Sequence, residues 1–321
     1  MKVLVGYNPM KLECYFPDLK EKYPEIEFVH CPGREALIDE IAETDIYMGW
    51  ISRDAFLAAK KLKWIQSTSS GVDSFLRIPE LVESPVYLTS ASGTHGACLS
   101  ESAMAMILAF TRGTRHCVLS QQQHSWSAGR EARSRMLELT GSTMGIIGLG
   151  AVGRALAKRA QAFDMRIIAV DMYPKDKPDY VDELWGPERL DDLLKESDYV
   201  VVAVPRTPKT LGMIGAEQIA LMKPSAMLVG ISRGGIIDQI ALAQALREKR
   251  LAAAALDVFD PEPLPEDSEL WKLDNLLMTP HIAGGTQLEG KYIIEIFQEN
   301  LDRFLNRDFP LRNQVDKNRG F

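Results

Sequence analysis

One stretch constrains the architecture of this chain more than any other: "TMGIIGLGAVGRALAKRAQAF", residues 143–163. It opens with a short apolar run, 143–147, and passes through Gly148-Leu149-Gly150-Ala151-Val152-Gly153. It then continues with Val152, Leu156, Ala160 and Phe163 at helical spacing. A strand that runs into three glycines at this spacing and straight on into a helix has few folds open to it. Gly148 allows a tight turn, Gly150 leaves the backbone open to close approach, and Gly153 lets helix and strand lie against each other. Alone the glycine pattern is weak. Its context strengthens it, because a second apolar run, "RIIAV" (166–170), ends at Asp171, which lies 18 residues beyond Gly153.

That arrangement is the fingerprint of a dinucleotide site, with a pyrophosphate over the helix N-terminus and a carboxylate for the ribose. Asp171 accepts hydrogen bonds from both ribose hydroxyls and repels a 2′-phosphate, and Met172, Tyr173 and Pro174 bring no arginine to receive one. The reading favours NAD over NADP; Lys175 and Lys177 keep NADP as the lesser alternative.

From residue 140 onward β-rich runs alternate with helical patterns, the signature of βαβ units and a parallel sheet. The runs are 143–147, 166–170, 199–204, 226–230, 252–256 and 276–279. Six strands are expected in one doubly wound, Rossmann-type sheet. In "DQIALAQALREK", Ile240, Ala243 and Leu246 share a helix face behind a capping Asp238. The first ~100 residues repeat the alternation less clearly, with "KVLVGY", "EFVHC", "DIYMGW" and "KWIQSTSS" as strands and "REALIDEIAE" as one intervening helix. They are expected to form a second, smaller α/β domain. Residues 100–112 suit a long buried helix, and 287–306 an amphipathic one that crosses back to the first domain.

Ligands of such sheets lie beyond the carboxyl ends of the strands, so the residues that follow each strand become candidates. Run 226–230 leads into Ile231-Ser232-Arg233-Gly234-Gly235, run 252–256 into Asp257 and the loop "VFDPEPLP" with Asp260 and Glu262, and run 276–279 into Pro280-His281. This set suits hydride transfer at the carbon next to a carboxylate. Arg233 offers a planar bidentate fork for the substrate carboxylate. The carbonyl oxygen becomes an alkoxide as hydride arrives, and His281 is a proton donor that titrates near neutrality. Glu262 is expected to hold the other ring nitrogen. Each has a plainer reading: Arg233 a solvated turn residue, Glu262 surface charge, His281 a structural histidine. Among the other histidines, His95 in "SGTHGA" is a loop candidate.

The chain resembles the D-isomer-specific 2-hydroxyacid dehydrogenases over essentially its whole length. The resemblance is carried by "GIIGLGAVGRALAKRAQAFDMRIIAVD", "VPRTPKTLGMI", "LVGISRGGIIDQIALAQAL", "AALDVFDPEPLPEDSELWKLDNLLMTPHIAGGT" and "LKWIQSTSSGVDSF". It implies that Arg233 binds and polarises a 2-keto acid, that Glu262 pairs with His281, and that His281 donates the proton. Asp257 matches the aspartate that contacts the nicotinamide amide, and Ala151, Val152, Thr207 and Ile231 match cofactor contacts. The implied small domain is discontinuous and flavodoxin-like, residues 1–99 with 287–321, beside a cofactor domain of residues 100–286. Backbone amides around Ser70, Gly71 and Val72 are then expected to take the substrate carboxylate, with the active cleft closing between the domains. Family members are usually homodimers built on the cofactor domain, with helix 100–112 and the arm 113–129 as the expected contact. Two departures stand out: Gly230 where asparagine is common, and Arg206 where an aliphatic residue is frequent, the latter a second cation able to hold a phosphate.

The resemblance is closest to the glyoxylate and hydroxypyruvate reductase branch. Trp50 is read either as a wall of the substrate pocket or as a plain buried aromatic. Phosphoglycerate dehydrogenase is the alternative within enzymes, disfavoured because no regulatory domain follows residue 321. A dinucleotide-sensing corepressor on the same fold is the alternative outside them.

Charge and cysteines narrow the remaining classes. The formal charge is −7, with 37 basic against 44 acidic residues and no basic block, so a nucleic-acid partner is not expected. No apolar run approaches the roughly 18 residues of a membrane span, the start is too short for a signal peptide, and a cytoplasmic protein is expected. Cys14, Cys31, Cys98 and Cys117 form no Cys-x-x-Cys pair, so no metal is expected and the thiols are read as reduced and mostly buried.

Overall fold

The structure, a computed structural model, describes residues 1–33, 36–126, 129 and 133–319. The chain divides into two compact units, one of Met1–His95 with Thr286–Phe321 and one of Gly96–Gly285.

The first unit is built on five parallel strands, β1 (Lys2–Val5), β2 (Glu27–His30), β3 (Ile46–Met48), β4 (Trp64–Gln66) and β5 (Tyr87–Thr89), in the order β2-β1-β3-β4-β5. That order is the flavodoxin-like one. Its C-terminal helix, Glu289–Asn306, buries Ile293, Ile294, Phe297 and Leu301 in the same core as Val3, Val5, Ile46 and Met48. Trp64 is fully buried, stacked on Phe297 with centroids 5.3 Å apart, and its indole N–H donates to Thr89 Oγ1 at 2.8 Å. The indole therefore brings its full apolar area into the core without stranding a donor.

The second unit carries seven parallel strands: β6 (Thr143–Ile147), β7 (Arg166–Val170), β8 (Glu183–Trp185), β9 (Tyr199–Val202), β10 (Met227–Gly230), β11 (Ala253–Leu256) and β12 (Leu276–Met278). They run in the order β12-β11-β10-β9-β6-β7-β8. Every residue of β6, β9, β10 and β11 is buried, the result of helices covering both faces of a parallel sheet. All the strands are parallel, but the order in which the chain adds them reverses between β6 and β9, the place where this topology opens a crevice for a ligand.

Several expectations need correction. The larger sheet has seven strands, because Glu183–Trp185 adds an edge strand to β7, and the smaller has five, because Tyr87–Thr89 extends it beyond β4. Each of these strands is only three residues long, too short to leave a periodic signal. The helix Gly96–Thr111 starts earlier than expected, and several short helices, not one, connect the strands of the first unit. In the helix Gln239–Arg247, Asp238 caps the amides of Ile240 and Ala241 at 2.9 and 3.1 Å, and Ala243 and Leu246 are buried, but Ile240 is 84% exposed. Ile240 sits in the first turn, before the helix face meets the sheet. Phe163 lies past the end of its helix and is 38% exposed. The four cysteines form no disulfide, yet only Cys31 is buried; Cys14 and Cys117 are exposed and Cys98 is intermediate. No helix among the described residues is long and apolar enough to cross a membrane.

Candidate active site

The crevice side of the second unit begins at the β6 turn. Gly148 has φ +99°, which L side chains rarely adopt, and a Cβ on it would crowd Val204 and the Ala203 carbonyl. A Cβ on Gly153 would clash with the Gly148 carbonyl oxygen, so this glycine is what lets the helix Ala151–Gln161 descend onto the strand. Gly150 differs from both. It is the N-cap of that helix, has no capping side chain, and a Cβ there would meet no protein atom within 4 Å. Space and uncapped amides therefore coincide at a helix N-terminus, which suits the pyrophosphate of a dinucleotide.

Asp171 closes the other side of the turn. Its Oδ2 accepts the Leu149 amide at 2.8 Å and its Oδ1 the Tyr173 amide at 2.9 Å. Arg154, an ordinary charged residue within a helical pattern, donates to the Leu149 carbonyl and to those of Lys175 and Asp176. Its charge thereby braces the glycine turn against the segment that follows Asp171. Lys177 donates to the Val181 carbonyl at 2.6 Å, and Arg206 pairs with Asp260 at 2.9 Å. Thr207 sits in a tight turn in which its amide donates to Thr210 Oγ1, and Ile231 is buried immediately after β10.

The ends of β10, β11 and β12 carry the remaining candidates. Arg233 is half-buried and donates to the Ser232 carbonyl at 2.8 Å. A Cβ on the next residue, Gly234, would clash with the Phe259 carbonyl, so the arginine loop is pressed against the loop that holds Glu262. Glu262 Oε1 accepts the Phe259 amide at 2.8 Å, and its Oε2 lies 2.7 Å from His281 Nδ1. The imidazole is 45% exposed, which leaves the ring accessible on its other side.

His281 has φ +55°, a left-handed conformation that a non-glycine residue holds at a cost of about 1–3 kcal/mol. Asp257 supplies the restraint. It is 1% exposed; its carbonyl accepts the His281 amide at 2.8 Å, its Oδ1 the Thr279 hydroxyl at 2.6 Å and the Ile282 amide at 2.9 Å, and its Oδ2 the Ala283 amide at 3.0 Å. Three of the roughly four lone-pair directions of this carboxylate are thus spent on the histidine turn. Thr279 went unnoticed in the sequence because a threonine that ends a strand carries no distinguishing signal.

The other candidates belong to the first unit. Trp50 is 46% exposed, not buried, and with Tyr7, Cys31 and Tyr47 it lines a cavity of about 50 Å³ at the carboxyl ends of β1, β2 and β3. In the loop after β4, Gly71 donates to Ser69 Oγ at 3.3 Å, and the amides of Ser70 and Val72 have no acceptor among the described residues. Ser70 Oγ lies 2.7 Å from His95 Nδ1.

The sequence profile of the family described as "D-isomer specific 2-hydroxyacid dehydrogenase, NAD binding domain" matches residues 104–283. The chain is 37% identical over 293 residues to a D-3-phosphoglycerate dehydrogenase of Methanocaldococcus jannaschii, covering 89% of this chain but only 54% of that protein, so it spans about half the relative's length. It is 34% identical over 310 residues to a glyoxylate reductase of Thermococcus litoralis, covering 92% of each. Among solved structures it resembles an NADPH-dependent glyoxylate/hydroxypyruvate reductase of Sinorhizobium meliloti in complex with NADP and sulfate, with a TM-score of 0.84 at 26% identity, covering 100% of this chain and 99% of that one.

Proposed function

The chain belongs to the D-isomer specific 2-hydroxyacid dehydrogenase family, with an NAD(P)-binding domain, and we propose that it is an NAD(H)-dependent reductase of small 2-keto acids of the glyoxylate and hydroxypyruvate type. The observation that carries this reading is the Glu262–His281 pair, 2.7 Å apart at the carboxyl edge of the sheet that holds the glycine turn.

When bound, the dinucleotide supplies or takes a hydride; every other task falls to the protein. The turn of Gly148, Gly150, Ala151, Val152 and Gly153 would receive the pyrophosphate, with Gly148 and Gly153 shaping it and Gly150 leaving the space; Asp171 would take the ribose, and Thr207, Ile231 and Asp257 would border the nicotinamide half. Arg233 holds the substrate carboxylate and polarises its carbonyl. His281 Nε2 gives its proton to the oxygen that becomes the alcohol, while Glu262 fixes the ring through Nδ1. The amides of Ser70, Gly71 and Val72 receive the carboxylate, and Trp50 borders the substrate side chain. A preference for NAD is supported by the Asp171 carboxylate, which disfavours a 2′-phosphate, and by Arg206, whose guanidinium is already paired with Asp260.

A homodimer through the second unit completes the proposal. Val118, Leu119 and Trp126 expose apolar surface, Trp126 at 97%, on and after the helix Thr114–Gln122. The expected arm, 113–129, continues through 127 and 128, which lie outside the described residues.

The test is steady-state reduction of glyoxylate, hydroxypyruvate, its phosphorylated form, pyruvate and phenylpyruvate, each with NADH and NADPH, beside His281→Ala. Turnover of the small unphosphorylated acids that collapses in the variant upholds the reading. Preference for the phosphorylated acid favours phosphoglycerate dehydrogenase, the activity named for the relative at 37% identity. NADH binding without turnover of any acid favours a dinucleotide sensor.

A further inference from the structure

We propose that His95 is a positioning residue that holds the substrate-carboxylate loop, acting through the Ser70 hydroxyl; the proposal rests on the reading that Ser70–Val72 bind that carboxylate. His95 closes the first crossing of the chain out of the first unit, and Glu289 follows the second crossing back into it. The imidazole sits between the loop and the C-terminal helix: Nδ1 lies 2.7 Å from Ser70 Oγ and 2.8 Å from Thr94 Oγ1, and Nε2 lies 3.3 Å from Glu289 Oε1. The ring is mostly buried, with 13% of its side chain exposed.

Hydrogen-bond counting gives the direction of the restraint. Nε2 faces the Glu289 carboxylate, which can only accept, so Nε2 carries the ring N–H and Nδ1 is the acceptor. The Ala91 carbonyl receives the Thr94 amide at 3.3 Å and the Thr94 hydroxyl at 2.8 Å, which fills its two lone pairs. The Ser70 hydroxyl, 3.1 Å from that carbonyl but 2.7 Å from Nδ1, then gives its proton to the imidazole. Serine at 70 is thereby held by the imidazole, while its own amide and that of Val72 have no acceptor among the described residues. An anion-binding loop gains affinity when its donors are fixed before the ligand arrives, because the ordering cost is then met in folding. Glu289, on the opposite ring nitrogen, sets the orientation of the imidazole and leaves Nδ1 for the loop.

The two ring nitrogens can be separated by substitution. Asparagine places a polar group near the position of Nδ1, glutamine near that of Nε2, and phenylalanine keeps the ring shape with neither. In the full-length protein with NADH, His95→Phe is expected to raise KM for glyoxylate or hydroxypyruvate about ten-fold or more, with kcat within about three-fold and NADH affinity unchanged. His95→Asn is expected to recover most of the loss and His95→Gln little of it. Amide hydrogen exchange over residues 69–72 is expected to quicken in His95→Phe and to return to the wild-type rate in His95→Asn. Ser70→Ala removes only the one hydroxyl and serves if His95→Phe does not fold, with a KM rise of the same sign.

If wild-type protein turns over these acids and His95→Phe leaves KM unchanged, or His95→Asn is as impaired as His95→Phe, the positioning role is overturned and the reductase reading stands. If the wild type turns over none of them, the reductase reading fails by itself. The exchange rates then decide whether His95 holds the loop: quickening in His95→Phe alone keeps the restraint, and unchanged rates remove it.

Discussion

The Glu262 carboxylate joins two loops of one sheet edge: its Oε2 lies 2.7 Å from His281 Nδ1 while its Oε1 accepts the Phe259 amide at 2.8 Å. One oxygen is fixed by its own loop, so the other meets the imidazole from a set direction. Glu262→Gln cannot keep both bonds, because an amide side chain offers an acceptor at one end only. Its kcat is expected to fall on the order of 10–10³-fold, with a smaller change in KM, and His281→Ala by roughly 10²–10⁴-fold. Steady-state kinetics of both variants check this; kcat unchanged in Glu262→Gln would separate the carboxylate from the chemistry.

Asp257 predicts a loss of stability as well as of rate. With its carboxylate accepting the Thr279 hydroxyl and the amides of Ile282 and Ala283, Asp257→Asn turns one acceptor into a donor that faces another donor. The residue is 1% exposed, so water does not compensate, and the cost is expected to be about 1–3 kcal/mol. Thr279→Val removes one donor and leaves both amides bonded, for about 1 kcal/mol. Urea denaturation of the two variants should rank them in that order, and the reverse order would contradict the assignment of Asp257 as the brace of the histidine turn.

Gly150 and Gly153 are expected to respond oppositely to the same substitution. A methyl at 153 meets the Gly148 carbonyl, so Gly153→Ala should lose about 1–3 kcal/mol of stability as helix and strand are forced apart. A methyl at 150 meets no protein atom, so Gly150→Ala should stay within roughly 0.5 kcal/mol of wild type. It should instead raise the NADH Kd about ten-fold or more, since the methyl enters space left for the pyrophosphate. Calorimetry and NADH fluorescence titration read the two effects separately; a Gly150→Ala variant with unaltered NADH affinity would place the dinucleotide elsewhere.

The contrast between what was and was not legible follows element length and dimensionality. Thr143–Ile147 and Arg166–Val170 have the bounds expected from their sequence, because the apolar and β-branched residues that dominate each run are bounded by turns and leave little choice. Glu183–Trp185 and Tyr87–Thr89 are strands by virtue of the neighbour they pair with, a fact that no three-residue window contains. Glu262 and His281 were visible as polar residues following strand ends. The bracing role of Asp257 was not, since it depends on which amides a folded turn brings to each oxygen. Arg154 and Glu289 lie inside helical patterns where a charged residue is ordinary, and only the fold brings them to the glycine turn and to His95.

Asp302 gives a prediction in pH. Its Oδ1 accepts the Tyr23 hydroxyl at 2.7 Å and its Oδ2 the Lys22 ammonium at 3.0 Å, which ties the helix Phe16–Lys22 and the residue after it to the helix Glu289–Asn306. Burial pushes the carboxyl up, but the Tyr23 and Lys22 hydrogen bonds more than offset it, so the group lies below the ordinary aspartate value of 3.8. The folded state then binds this proton less readily than the unfolded chain, and stability falls as pH drops through that range. Asp302→Asn lacks the titration. Its deficit relative to wild type should be present in full at pH values above about 5 and should shrink toward zero as the wild-type carboxylate becomes protonated in both states. The side chain is about half exposed, so the deficit is expected to be small and reduced by salt. Urea midpoints of the two proteins from pH 7 to pH 3 should converge on acidification; parallel curves would mean that the ion pair contributes nothing to how the C-terminal helix is held.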